Sequence, residues 1–242
     1  MNYRKPMLEL LVLLLAWANI PAAHARDAER QNLQDTTVNI CALMRPKKGK
    51  ADELRQSLTA LVGPTNKEEG HIAYNIFEEG NGSIFLHEVW RSQADLERHL
   101  QKPYIRAFVS KTQALLDGEN EAHFGRVISS LANPRFTERD AHGSGTVHIC
   151  SVKRPVAGKA HELRQALLAL AEPTSHEEGY LAYNLYEEKD GSLFLYEAWR
   201  SRQDLASHFQ KPYIKAFQAR VGDLTTRNDV HVGTMIPIVQ TR

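Results

Sequence analysis

The chain has 242 residues, and its 30 lysines and arginines nearly balance 29 aspartates and glutamates. No basic stripe or acidic tail stands out, which removes the electrostatic case for a nucleic-acid partner. The length left beyond the first 25 residues fits two domains of about 100 residues, each able to bury a modest core.

Residues 1–25 read as a targeting segment. Arg4 and Lys5 precede an apolar run from Met7 to Ile20, and Pro21-Ala22-Ala23-His24-Ala25 supplies the small-residue cleavage pattern. The run is short for a membrane span, Glu9 interrupts it, and no second apolar run of about 18 residues follows. The expectation is export to a periplasm or beyond, with cleavage after Ala25 and no membrane attachment afterwards. A retained N-terminal anchor is the alternative.

From Val38 the elements follow in a simple order. Val38 to Arg45 is an apolar, β-prone run ended by Pro46, and Lys47-Lys48-Gly49 is a turn. Leu54, Leu58 and Leu61 recur at helical spacing from Ala51 to Val62, and Gly63-Pro64 is expected to close that helix. Ile72 to Glu79 and Ser83 to Trp90 form a hairpin around Gly80-Asn81-Gly82. Alternation puts Ile84, Leu86, Glu88 and Trp90 on one face of the second strand, and Phe85, His87 and Val89 on the other. Ser92 and Asp95 make an S-x-x-D helix start. The helix that follows carries Leu96, His99 and Leu100 toward the sheet, with a kink or restart near Pro103. His123 to Ser129 is a last strand.

The whole unit then recurs. Tyr183, Trp199 and His208 each follow Tyr74, Trp90 and His99 by 109 positions, and 43 of the 71 positions from Val38 to Phe108 are identical in the second copy. A period this long marks a duplicated domain rather than a solenoid. The second copy ends with a strand from Val230 to Val239. The expected domains are 37–130 and 146–240, joined by a linker over 131–145.

The order β-α-β-β-α-β is the ferredoxin-like arrangement of the α+β class, with both helices on one face of an antiparallel sheet. Alone, each sheet would leave its other face, with Phe85 and Val89 or Phe194 and Ala198, bare to water. Pairing the two sheets buries both faces. A linker of about 14 residues holds the halves at millimolar effective concentration, so they are expected to pair within one chain as a pseudo-dimer, with a higher oligomer still open. Cys41 and Cys150 occupy matching positions. An oxidising compartment would permit a bridge, but matching positions argue for equal environments and hence for two buried free thiols.

At this point each copy resembles the antibiotic biosynthesis monooxygenase domain. The resemblance rests on Arg-Pro and Gly-Lys before the first helix, on Gly70, Tyr74 and Asn75 with Gly179, Tyr183 and Asn184, and on the Glu-x-Trp, Ser, His and Pro series of Glu88 to Pro103 and Glu197 to Pro212. It implies a dimeric α+β barrel formed here within one chain. It also implies oxidation of a quinol or other electron-rich aromatic by O2 without a cofactor. Within that resemblance His99 and His208 are candidate proton acceptors, and Asn75 and Asn184 candidate donors to a developing oxyanion. Trp90, Trp199, Tyr74, Tyr183, Tyr104 and Tyr213 would hold the ring. Glu88 and Glu197 are expected to pair with the histidines or with an arginine. Each residue also has a plain structural reading as core or as a satisfied polar group. His71, His87 and His123 meet Tyr180, Tyr196 and Val232 in the second copy, so no third ligand joins a Glu–His pair to make a metal site. No phosphate loop or dinucleotide fingerprint is visible. The competing reading is a module that binds an aromatic ligand or haem without turnover.

Overall fold

A computed structural model describes residues 37–118, 121–132 and 145–237. The expected targeting segment, most of the expected linker and the last two residues of the strand expected over 230–239 lie outside the described residues. Those described form eight strands and six helices. The first copy runs β1 (Val38–Met44), α1 (Ala51–Thr65), β2 (His71–Glu79), β3 (Ile84–Trp90), α2 (Gln93–Leu100), α3 (Pro103–Leu115) and β4 (Glu121–Ala132). The second runs β5 (Val147–Pro155), α4 (Ala160–Ser175), β6 (Tyr180–Glu187), β7 (Leu193–Trp199), α5 (Arg202–Phe209), α6 (Pro212–Leu224) and β8 (Thr225–Met235).

All eight strands close one antiparallel barrel in the order β1-β3-β2-β8-β5-β7-β6-β4. Each copy's last strand lies between its own first strand and the other copy's hairpin. β4 pairs with β1 and with β6, and β8 pairs with β5 and with β2. The seam between β4 and β6 is registered from Arg126↔Glu187 to Ala132↔Ala182, whereas that between β2 and β8 spans only Phe77↔Met235 to Glu79↔Gly233. Edge pairing leaves neither sheet with an open edge, and closure removes the aggregation hazard such edges carry.

Alternation along each strand divides the core in two. One set of side chains faces the helices, such as Val147, Ile149, Tyr183, Leu185, Leu195 and Trp199 against Leu163, Leu167 and Leu205. The other set fills the barrel interior, where Phe77, Phe85, Tyr186, Phe194 and Tyr196 pack around Cys41 and Cys150. The two cysteines form a disulfide. This corrects the expectation of free thiols. Equal environments in a pseudo-dimer can also mean facing positions beside the axis relating the halves, and here the two Cα atoms stand 6.8 Å apart, within bridging reach.

Three further sequence expectations change. Helix α1 passes through Gly63 and Pro64 to Thr65, because a proline in the last turn removes one ladder bond while Asn66 N still reaches Val62 O at 2.9 Å. The last strands are longer and shifted relative to the expected ranges, at Glu121–Ala132 and Thr225–Met235. Finally, the counterpart of His123 is His231 and not Val232. His123 pairs with Cys41 and His231 with Cys150, because the second copy is one residue shorter between its last helix and last strand. Each of these histidines crosses to the other copy: His123 Nδ1 lies 2.8 Å from Glu188 and His231 Nδ1 2.7 Å from Glu79.

Candidate functional site

The strand-to-helix stretch after β3 is built to place a histidine. Ser92 is extended at φ −156° and ψ 164°, its hydroxyl accepts from Asp95 N at 3.2 Å, and it donates to Asp95 Oδ2 at 2.6 Å. Asp95 is buried yet ion-paired to Arg91 at 3.0 Å and to Arg98. Gly70 closes the corner at φ +83°, and a β-carbon there would lie 2.1 Å from Asp95 Cγ, so only glycine fits both backbone and space. His99 follows Asp95 by one turn and lands over Trp90, with ring centroids 4.5 Å apart.

Pro103 then resets the helix axis. It starts α3 as an N1 proline, separated from the end of α2 by two residues. The break lets His99 at the end of α2 and Tyr104 at the start of α3 converge on one carboxylate, that of Glu68. His99 Nδ1 donates to Glu68 Oε1 at 2.7 Å, Tyr104 donates to the same oxygen, and Thr65 Oγ1 stands 3.2 Å from the tyrosine hydroxyl. Lys102 Nζ is 3.8 Å from the other carboxylate oxygen. The second copy reproduces this arrangement: His208 Nδ1 meets Glu177 at 2.6 Å, Tyr213 donates to Glu177, and Thr174 is 3.3 Å from Tyr213.

Glu88 is expected beside His99 from the sequence, and its actual partner is the indole. Trp90 Nε1 donates to Glu88 Oε2 at 3.2 Å, and Trp199 Nε1 to Glu197 Oε2 at 2.9 Å. In the second copy the histidine also closes in, with His208 Nε2 3.9 Å from Glu197 Oε2. Burial dominates the electrostatics. It pushes the Glu88 carboxyl up to about 7, against the indole's stabilising hydrogen bond and with Glu68 adding repulsion. Burial lowers His99, although Glu68 opposes that shift, and raises the Tyr104 hydroxyl to about 12. Burial likewise raises Glu197 and Tyr213.

The geometry gives each histidine one committed nitrogen. With Nδ1–H held by Glu68 or Glu177, the neutral ring presents Nε2 as its basic atom toward the buried Glu–Trp pair. Tyr74 completes the wall, its ring 6.1 Å from that of His99, and Tyr183 takes the same place while donating to Leu167 O at 2.8 Å. The structure therefore brings together His99, Trp90, Tyr74 and Tyr104, and likewise His208, Trp199, Tyr183 and Tyr213. It does not bring the asparagines to them. Asn75 pairs with His87 and Asn184 with Tyr196, which puts both amides on the barrel-interior face, across the sheet from the histidines. Asn184 is instead bound by Ser130, whose hydroxyl donates at 2.9 Å.

Two residues that carry the cluster are absent from the sequence-based set: Glu68 and Glu177. Their signal is the Glu-Glu-Gly turn repeated in both copies, which the sequence reading uses only for its glycine.

Two ferredoxin-like halves closing one barrel, each with a buried acid and imidazole and a half-buried phenol beside an indole, define a dimeric α+β barrel contained in a single chain. The sequence profile described as antibiotic biosynthesis monooxygenase matches residues 37–111 and 147–220, and the chain belongs to that family. It is 42% identical over 86 residues to the protein named "Putative monooxygenase Rv0793" of Mycobacterium tuberculosis, a match covering 35% of this chain and 82% of the relative. A solved structure from Fusobacterium nucleatum, titled as a putative monooxygenase, superposes with a TM-score of 0.70 at 13% identity over 84% of this chain and 93% of its own. An anthrone oxidase-like protein superposes with a TM-score of 0.68 at 14% identity, over 84% and 92% of the two chains. These two likenesses are of fold.

Proposed function

We propose that each helix-facing cluster is the centre of a cofactor-independent monooxygenase that oxidises a quinol or similar electron-rich aromatic with O2. The observation that carries the reading is the Glu68–His99 pair, repeated as Glu177–His208, which fixes the imidazole tautomer inside a buried layer. Family membership and the monooxygenase-named relative support the reaction class.

In this scheme Nε2 of His99 or His208 takes the hydroxyl proton of the substrate, and Glu68 or Glu177 steadies the imidazolium that forms. The substrate anion supplies the electrons that reduce oxygen. One oxygen atom enters the ring and the other leaves as water, so that a quinol and O2 yield a hydroxyquinone and water. Trp90 or Trp199, with Tyr74, Tyr104 and their counterparts, holds the ring. Burial excludes bulk water from the reactive anion. The asparagines take no part, since they lie across the sheet. We further propose that the chain works after export, in a periplasm or outside the cell. The Cys41–Cys150 bridge supports this, because such bridges persist in oxidising compartments.

The test is oxygen uptake with a panel of benzo- and naphthoquinols, with product oxygen traced from 18O2. Uptake with one labelled oxygen per product is expected, and a H99A/H208A double variant should lose at least about 100-fold in rate. A double variant that keeps full rate removes the assigned base.

A further inference from the structure

The two helix-facing layers differ at one buried position. In the second half Lys153 is only 5% exposed, at the end of the β5 face that carries Val147 and Ile149 toward the helices. Its amine folds back along the strand and donates to Ser151 Oγ. Among the described residues no carboxylate stands within ion-pair distance of it. The first half has Met44 and Ala42 at the matching places, as the shared register shows: Met44 faces Ile84 and Ala42 faces Leu86, while Lys153 faces Leu193 and Ser151 faces Leu195.

A buried ammonium that lacks a charged partner is costly. Its carboxylate neighbours do not remove that cost. Glu197 lies on the same face of β7, four positions beyond the Leu193 that faces Lys153, but its oxygen is committed to the Trp199 indole and burial favours its protonated form. Asp229, on β8, acts on Lys153 only at longer range. Met44 shows that the fold accepts an apolar side chain here, so the amine is not required for packing.

We infer that the second half binds an aromatic ligand bearing a carboxylate or comparable fixed anion, held by Lys153 Nζ with Ser151 Oγ, whereas the first half takes neutral ligands only. The inference rests on the proposal that the helix-facing layer is a ligand site, but it concerns binding and not turnover. Ser151 serves twice, accepting from the amine while its own hydrogen remains available to the anion. The chain is thus a tandem of two unlike sites, and Lys153 determines which ligand the second one selects.

Calorimetric titration of the full chain with 2-naphthoate and with the neutral 2-naphthamide tests this. The naphthoate should bind at one equivalent per chain and at least about tenfold tighter than the amide, the lower end of what a buried charge pair supplies. K153M, which installs the first half's residue, should weaken naphthoate at least about tenfold and leave naphthamide unchanged; M44K/A42S should add a second naphthoate equivalent. Equal affinity of the wild-type chain for the two probes overturns the assignment without recourse to any variant. Absence of naphthoate binding, or an unchanged constant in K153M, does the same. A chain that binds naphthoate through Lys153 but consumes no oxygen with quinols overturns the oxygenase reading and keeps this one. Quinol turnover with equal probe affinities keeps the oxygenase and overturns the anion site.

Discussion

The helix-facing layers and the barrel interior come from the same duplicated sequence, yet they have diverged differently. Apart from the Lys153–Ser151 pair of the second half, each helix-facing layer keeps the same polar set: histidine, tyrosine and threonine around one glutamate, and a second carboxylate on an indole. In the interior the copies differ at central places, with His87 against Tyr196, Asn39 against His148 and Phe77 against Tyr186. The reason is physical. A helix-facing layer is lined mainly by its own half, with Ile128 and Leu131 of β4 reaching into the second one, so each copy satisfies most of its buried polar groups itself. The interior is one space shared by both halves, so a change in one copy can be met by the other. His87 lies flat on Tyr196 with ring centroids 4.1 Å apart, its Nε2 is 3.1 Å from the Tyr186 hydroxyl, and Tyr196 reaches His148 at 2.9 Å. The interior packs as one unit, whereas each outer layer belongs mainly to one half.

The largest test of a shared interior is the disulfide. The Cys41–Cys150 bridge closes a 109-residue loop and joins the halves through the middle of that space. A C41A/C150A variant should lose about 4 kcal/mol, or roughly 10 °C in melting temperature for a chain of this size. Calorimetry reads it directly, with a further expectation that the single transition broadens or splits as the halves uncouple. An unchanged melting curve would mean that interior packing alone joins the halves.

Much of this is legible in the sequence, and the parts that are not share a cause. Alternation in β3, the Ser92 to Asp95 start and the restart at Pro103 are local signals that fix elements within a few residues. The constant offset between copies then leads to the pairing of two halves. Contacts that depend on which residues face a common axis leave no such trace, so the bridged cysteines look like two equal environments. Glu68 reaches His99 across 31 positions from a turn, and no periodicity connects the two. Family resemblance groups Asn75 with the histidine, although counting alternate residues from Tyr74 already sends it to the other face. Gly63-Pro64 looks like a stop, but Glu172 and Pro173 lie within α4 just as Gly63 and Pro64 lie within α1, which shows that the proline at this place is tolerated in a last turn.

A middle-sized test sharpens the comparison at the seams. Gly125 and Gly233 are equivalent, and each makes room for a phenylalanine of the other copy. A β-carbon at Gly125 would stand 2.7 Å from the Phe194 ring and 2.9 Å from Tyr186 Cβ; at Gly233 it would stand 2.8 Å from the Phe85 ring and 2.9 Å from the backbone oxygen of Glu78. Both G125A and G233A should destabilise by about 1–3 kcal/mol through overpacking. G233A should be the worse, because a backbone carbonyl cannot swing aside as a ring can and because the β2–β8 seam is the shorter one. Urea midpoints check the order. A harmless G233A would show that the interior has slack.

The smallest effect concerns neighbouring residues on the two faces of one strand. His87 and Glu88 are consecutive on β3 and face opposite sides of the sheet. Burial lowers His87 to about 4 and raises Glu88 to about 7. The signs follow from proton counts. Between about pH 6.5 and 4 the unfolded chain takes up a proton that folded His87 refuses, so this group costs stability as pH falls. Between about pH 4.5 and 7 folded Glu88 keeps a proton that the unfolded chain releases, so its contribution to stability is full below 4.5 and is lost as pH rises toward 7. The two slopes oppose each other over the shared window, each about 1 kcal/mol per pH unit. H87Y, which installs the second copy's residue, should therefore gain stability relative to the wild-type chain as pH is lowered from 6.5. E88Q, which keeps an acceptor for the Trp90 indole, should gain relative to it as pH is raised from 4.5. Urea midpoints taken at half-unit steps read both differences free of the background from other groups. Opposite slopes are what desolvation of a base and of an acid requires on both faces of this strand; a flat difference for either variant would mean that its group is not held away from water in the folded chain.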